Sequence, residues 1–185
     1  PVVEMERALI GKTVGIDFFP TPPELARKLV EAADIQPGMK VLEPSAGNGR
    51  IADAIRSAGV EPDVVELSSD LRGILEAKGH KVVGQDFTTF EPEQKYDRIV
   101  MNPPFGSGVQ GLDGEHVRRA YDMLAPGGRL VAIMSEGPFS RSDRKSVEFR
   151  EWLDELGGVS EKIHSFYTIN DPRPLNRASW KFIVW

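Results

Sequence analysis

The chain has 185 residues, 40% apolar and 28% charged, with no cysteine and a formal net charge of -5. That apolar share suffices for one buried core, while the lack of cysteine excludes a disulfide framework, a thiolate metal site and a thiol nucleophile. No window approaches the roughly 20 apolar residues that cross a bilayer, the N-terminus carries no signal pattern, and the acidic balance excludes coating nucleic acid by bulk charge. The expectation is one cytoplasmic domain over residues 1–185.

In chain order, residues 1–16 are a weakly patterned lead-in, and Pro1 stands where an initiator methionine would, so a trimmed chain is the expectation. Thr21-Pro22-Pro23-Glu24 reads as a capping box with proline at the first helical position, followed by Leu25, Leu29 and Ala33 on one face. From Val41 onward, short apolar runs at 39–43, 63–66, 81–84, 98–101, 129–134, 162–169 and 179–185 alternate with amphipathic stretches. Most runs are continuously apolar, as strands buried on both faces are. The helical faces between them are Ile51/Ala54/Ile55/Ala58, Leu71/Ile74/Leu75, Val117/Tyr121/Leu124 and Phe149/Trp152/Leu153/Leu156, with Gly59, Gly79, Gly127 and Gly157 as stops. Strands alternating with helices predict an α/β domain built on a parallel sheet. The turn-rich stretch 170–177 has no room for a helix, so the last two strands should pair antiparallel and make the sheet mixed at one edge.

Val41 to Arg50 (VLEPSAGNGR) runs from a strand through small residues into a helix, where backbone can approach a nucleotide-like ligand. Glu66 closes the next strand, placed to accept both hydroxyls of a ribose. Gly47-x-Gly49-x-x-Ala52 also satisfies the dinucleotide fingerprint, so the turn alone leaves nicotinamide cofactors and S-adenosylmethionine open. Glu43 favours the latter, because a carboxylate there suits a cationic amino group and sulfonium. Asp86, after the third strand, is placed to accept from an adenine amine, with Phe87 covering a ring or filling the core.

Asn102-Pro103-Pro104-Phe105 leaves the C-terminal end of a buried strand, the edge at which open α/β sheets bind ligands. The prolines stiffen this exit and turn the Asn102 side chain and the Asn102 and Pro103 carbonyls into a rigid set of acceptors. Such a set suits a flat exocyclic amine, with Phe105 as the stacking face.

With these motifs in this order, the chain resembles the adenine-amino DNA methyltransferases across most of its length. Phe19 to Glu24 (FPTPPE) is similar to their N-terminal cofactor motif, placing Phe19 and Thr21 at the cofactor, and Glu43, Pro44, Ser45, Ala46, Gly47 and Gly49 are similar to the cofactor loop. Glu66, with Leu67 beside it, resembles the ribose acid, Asp86 with Phe87 the adenine acid, and Asn102 to Phe105 the catalytic tetrapeptide, with Asn102 also near the cofactor. Motif order resembles the gamma arrangement. The resemblance implies the class I fold, Rossmann-like and three-layered, with a seven-stranded mixed sheet whose last strand is antiparallel. It implies S-adenosylmethionine as cofactor, an adenine flipped out of duplex DNA as target, and neither a metal nor a membrane. Gamma enzymes carry a target-recognition domain after the catalytic core, and here the chain ends on its final expected strand. Weak sequence preference, a separate specificity subunit and a longer parent protein all stay open.

Arg141, Arg144, Lys145 and Arg150 after the fifth strand, with Arg173 and Arg177 in the terminal loop, are the candidate nucleic-acid contacts, diluted by Asp143 and Glu148. The glycine-rich stretch 106–114 reads as a lip over the target pocket or as a simple loop. His80, His116 and His164 lack ligand spacing, and no Ser/His/acid set is evident. The same tetrapeptide serves methyltransferases of RNA adenine and of a protein glutamine amide, and those targets stay open beside DNA. So does a cofactor-binding subunit that needs a partner for activity. A nicotinamide oxidoreductase would leave Asn102 to Phe105 without a role.

Overall fold

The computed structural model describes residues 1–9, 20–105, 110–163 and 180–184. Its elements are α1 (Val2–Leu9), α2 (Pro23–Ala33), β1 (Val41–Glu43), α3 (Arg50–Ser57), β2 (Asp63–Val65), α4 (Ser69–Ala77), β3 (Lys81–Gly84) and β4 (Tyr96–Met101). They are followed by α5 (Leu112–Asp122), β5 (Leu124–Met134), α6 (Gly137–Ser140), α7 (Arg144–Glu155), β6 (Val159–Ile163) and β7 (Trp180–Val184). Five strands pair in parallel in the order β3-β2-β1-β4-β5, and β7 continues the sheet antiparallel to β5, with β6 antiparallel to β7 at the edge.

The alternation of side chains along the central strands explains the layers. Val41, Val100, Val131 and Ile133 face one side, against Leu25, Leu29 and Ala33 of α2 and Ile51 and Ile55 of α3. Leu42, Ile99, Met101, Leu130, Ala132 and Met134 face the other, against Val117 and Ala120 of α5 and Phe149 and Leu153 of α7. Both faces are apolar because both are covered, which gives a Rossmann-like arrangement with a central parallel sheet between helical layers. Strand order reverses between β1 and β4, so their C-terminal ends diverge into a crevice. Glu43 and Asn102 stand on either side of it.

Several expectations are corrected. The lead-in contains a helix, α1, none of whose residues is buried, which is why no apolar stripe marks it. The capping box does not form: Pro22 is the N-cap of α2 and makes no side-chain cap bond, because two prolines remove the first donors and the Thr21 hydroxyl is bonded elsewhere. Strand β5 starts five residues earlier than its apolar run, since α5 ends at Asp122 and Leu124 already pairs with Tyr96, so Gly127 lies within β5 and does not stop a helix. Strand β6 begins at Val159 instead of 162. Residues 164–169, the turn 170–177, His164, Ser179 and Trp185 lie outside the described residues.

Candidate active site

Four strand ends lie along one edge of the sheet. Glu43 is the last residue of β1, Glu66 follows β2, Asp86 follows β3 by two residues, and Asn102 follows β4. Glu66 and the Gly-rich turn, 19 residues apart, meet directly. The Gly47 N–H donates to Glu66 Oε2 at 2.7 Å and the Ser68 N–H to Oε1 at 2.8 Å. Each oxygen keeps a further lone pair, so the carboxylate can still accept from a diol while bracing the turn. Burial pushes its pKa up, and these backbone donors pull the other way. Leu67, next to it, is a large apolar side chain left 55% exposed at the mouth of the site.

In the turn, the Ala46 N–H donates to the Val65 carbonyl at 3.0 Å, which ties the turn to β2, and the Gly49 N–H donates back to the Ala46 carbonyl at 2.8 Å. Pro44 and Ala46 are buried, and Ser45 and Gly47 are half-buried. Gly49 has φ +86°, and a Cβ there would come within 2.9 Å of Leu75 and 3.3 Å of His80. Its glycine is required by packing against α4 and the start of β3 as much as by any ligand.

Glu43 is 1% exposed and its Oε2 has no hydrogen-bond partner among the described residues. Burial pushes its carboxyl well above the usual range, against the Ala52 backbone donor, with Glu66 and Asp53 adding like charge. A buried acid without enough partners beside a ligand crevice is costly for the ligand-free protein. It fits a cationic ligand, whose field favours the carboxylate.

Asn102 ties the end of β4 to the start of α2. Its Nδ2 donates to Thr21 Oγ1 at 3.1 Å, across 81 residues of sequence. With one amide hydrogen bonded to Thr21, Oδ1 is the acceptor end of the side chain, and no bond to it occurs among the described residues. Thr21 is 6% exposed, so the pair is shielded from water. Pro103 is buried, Pro104 is half-buried, and Phe105 packs partly against the α2–α3 core. Phe19 and residues 106–109 lie outside the described residues.

Asp86 accepts from the Thr88 N–H at 2.9 Å and hydroxyl at 2.6 Å, which hold its pKa down. Phe87 is 4% exposed in the core, its ring centroid 5.4 Å from that of His116, so it packs beneath the site and does not line it. Sequence reading missed two supports here. Arg119 donates to the Phe87 and Phe90 carbonyls, both at 2.6 Å, fixing the loop that carries Asp86. His116 is 9% exposed with Nδ1 unpartnered among the described residues, and burial lowers its pKa. Both lie on α5, some 30 residues from what they touch, and only the fold brings them together.

The basic strip is corrected in part. Arg150 donates to the carbonyls of Pro138 and Arg141, at 2.7 and 2.9 Å, and so braces α6. Arg144 pairs with Glu148 at 2.6 Å and Lys145 with Glu115 at 2.8 Å. Exposed pairs of this kind contribute about 0–1 kcal/mol, so a phosphate can take Arg144 or Lys145 from them at little cost. Arg141 is exposed beside them. Arg173 and Arg177 lie outside the described residues. Among the described residues, no cluster of metal-ligating side chains occurs and no helix is long and apolar enough to cross a membrane.

Residues 20–171 match the family model described as a methyltransferase domain. Over 151 residues, the chain is 33% identical to a type II methyltransferase of Thermus thermophilus, covering 62% of this chain and 33% of that protein. Over 130 residues it is 32% identical to a tRNA (guanine(6)-N2)-methyltransferase from another strain of the same species, covering 60% of this chain and 38% of that one. The chain thus spans about a third of the type II methyltransferase and 38% of the tRNA enzyme. In fold it is similar to the methyltransferase subunit of a type I restriction-modification system from Streptococcus thermophilus, at TM-score 0.69 and 18% identity, covering 94% of this chain and 45% of that one.

Proposed function

We propose that the chain, which belongs to the methyltransferase domain family, uses S-adenosylmethionine and transfers its methyl group to the exocyclic amine of adenine in DNA. One observation carries the reading: at the switch point of the sheet, Thr21 holds the Asn102 amide so that its oxygen is left to receive a flat amine. The tetrapeptide and the Glu43 to Gly49 loop resemble the DNA enzymes, and a type II methyltransferase is among the relatives.

In this reading Glu66 and Leu67 hold the ribose and one face of the adenine of the cofactor, and Asp86 receives its amine. The Gly47–Gly49 turn lies against its methionyl part, and Glu43 supplies counter-charge from below. The cofactor contributes an electrophilic methyl group on a sulfonium. The target adenine leaves its duplex at a cost of a few kcal/mol, least where pairing is already weak. Phe105 stacks on the base, and Asn102 Oδ1 with the Pro103 carbonyl accepts the two amine hydrogens. That drives the nitrogen towards tetrahedral geometry and places negative partial charge where positive charge grows. Arg141, with Arg144 and Lys145 released from their surface pairs, meets the phosphates, and a partner subunit or further domain supplies sequence readout.

A second reading has its own support. The relative that acts on a tRNA guanine amine is as similar as the type II methyltransferase, and an acceptor pair of this geometry serves any planar NH2. Digestion of DNA and tRNA after incubation with the chain separates the two by product, N6-methyladenine against N2-methylguanine.

Thr21 has a role distinct from cofactor contact. Thr21→Val keeps the shape of the side chain and deletes the acceptor, so the Asn102 amide is free to turn over. A fall in kcat of about tenfold is expected, the scale of one net hydrogen bond, with recovery in Thr21→Ser. A change confined to the KM for cofactor would instead make Thr21 only a cofactor contact.

A further inference from the structure

Below the Gly-rich turn, a chain of charged side chains that the reading above does not use runs from α1 to the start of β3. Lys78 Nζ donates to the Asn48 carbonyl at 2.7 Å and pairs with Asp53 Oδ2 at 2.9 Å. Asp53 Oδ1 lies 2.7 Å from His80 Nε2, and His80 Nδ1 lies 3.0 Å from Glu61 Oε1. Arg56 closes the chain, bonded to Glu61 at 2.6 Å and to the Lys78 carbonyl at 2.9 Å. From the other side Glu6 of α1 accepts from Asn48 Nδ2 at 3.1 Å, with its carboxylate 3.9 Å from Lys78 Nζ.

Asn48, the residue between the two glycines, is thereby gripped twice, by its carbonyl and by its side chain, and is 6% exposed. Lys78 is 17% exposed and His80 has a fully buried side chain, while the acids Asp53 and Glu6 are 45% and 35% exposed, so each bond is shielded on one side, more than the surface pairs are. The glycines on either side both have positive φ, +57° and +86°, a conformation with many alternatives in a free chain. A turn that must be ordered on binding weakens the ligand by that ordering cost, and fixing it beforehand removes the loss.

We propose that Lys78 and Glu6 are positioning residues that hold the Gly47–Gly49 turn in its cofactor-binding shape before the cofactor arrives. The proposal rests on the reading of that turn as the cofactor loop. It makes α1 a working part of the site, through one carboxylate and one asparagine amide.

The test is calorimetric titration of S-adenosylmethionine into the wild-type chain, Lys78→Met, Glu6→Ala and Glu6→Gln, paired with hydrogen–deuterium exchange of each ligand-free protein. Lys78→Met should weaken binding about tenfold and Glu6→Ala about threefold, each with faster exchange at residues 46–49 and unchanged exchange in β4 and β5. Glu6→Gln retains an acceptor for Asn48 and should match the wild type. Glu6 sits on an exposed helix, so its variants decide the matter even where Lys78→Met unfolds. Wild-type affinity and wild-type exchange at 46–49 in Glu6→Ala and in folded Lys78→Met would overturn the proposal. A wild-type chain that binds no S-adenosylmethionine would overturn the cofactor-loop reading and the proposal with it.

Discussion

Replacing Asn102 with alanine is expected to lower kcat for methyl transfer by about 10²- to 10³-fold, the scale of losing one group placed to meet charge in a transition state. In the proposed mechanism the amide oxygen is the acceptor offered to the target, and the Thr21 bond fixes the amide that carries it. The loss should therefore appear in kcat, more than in the apparent affinity for DNA. Because Thr21 acts through Asn102, adding Thr21→Val to Asn102→Ala should cost nothing further, a non-additivity that two independent contacts would not show. Single-turnover rates of the four proteins measure this, and the parental rate in Asn102→Ala would refute the role given to the tetrapeptide.

Glu43→Gln should change stability and affinity in opposite directions. The Glu43 carboxyl is buried, lacks a partner for one oxygen, and is pushed well above its usual range by desolvation. An acid whose folded pKa is raised binds its proton more tightly folded than unfolded. Its ionisation therefore erodes the stability of the ligand-free protein as pH rises from the unfolded value, near 4.5, through the folded one. Glutamine abolishes that erosion. Thermal melts of ligand-free Glu43→Gln should show a higher Tm than the parent at neutral pH and a flatter pH dependence above 4.5. The same variant loses the counter-charge for a cation and should bind S-adenosylmethionine about tenfold more weakly, equivalent to about 1.4 kcal/mol. A variant that is less stable at neutral pH and binds as well as the parent would contradict both halves.

What the sequence showed in advance follows from how each feature is encoded. Strands β1, β4 and β5 were legible because both of their faces are buried, so Val41–Leu42, Ile99–Val100–Met101 and Leu130 to Met134 form uninterrupted apolar runs. Glu43, Glu66, Asp86 and Asn102 were legible as a set because each ends a strand run or follows one within two residues, and the parallel sheet brings those ends to one edge. Helix α1 escaped because it buries no residue. The local capping signal at Thr21 misled because a tertiary bond to Asn102 outcompeted it. Phe87 has a local context equally suited to a ring platform and to the core, and its neighbours Val117 and Ala120 on α5 place it in the core. The positive charges after β5 were read without their partners, since Glu115, which pairs with Lys145, lies 30 residues away. Lys78 and His116 were illegible for the same reason: their chemistry consists of contacts with distant segments.

The central claim is that an adenine amine in DNA is the methyl acceptor. Incubating the purified chain with S-adenosylmethionine and unmethylated DNA or tRNA, then digesting each to nucleosides for mass spectrometry, tests it most directly. N6-methyladenine from the DNA, absent with Asn102→Ala, is the result expected. Unmodified DNA alongside N2-methylguanine in the tRNA would contradict it.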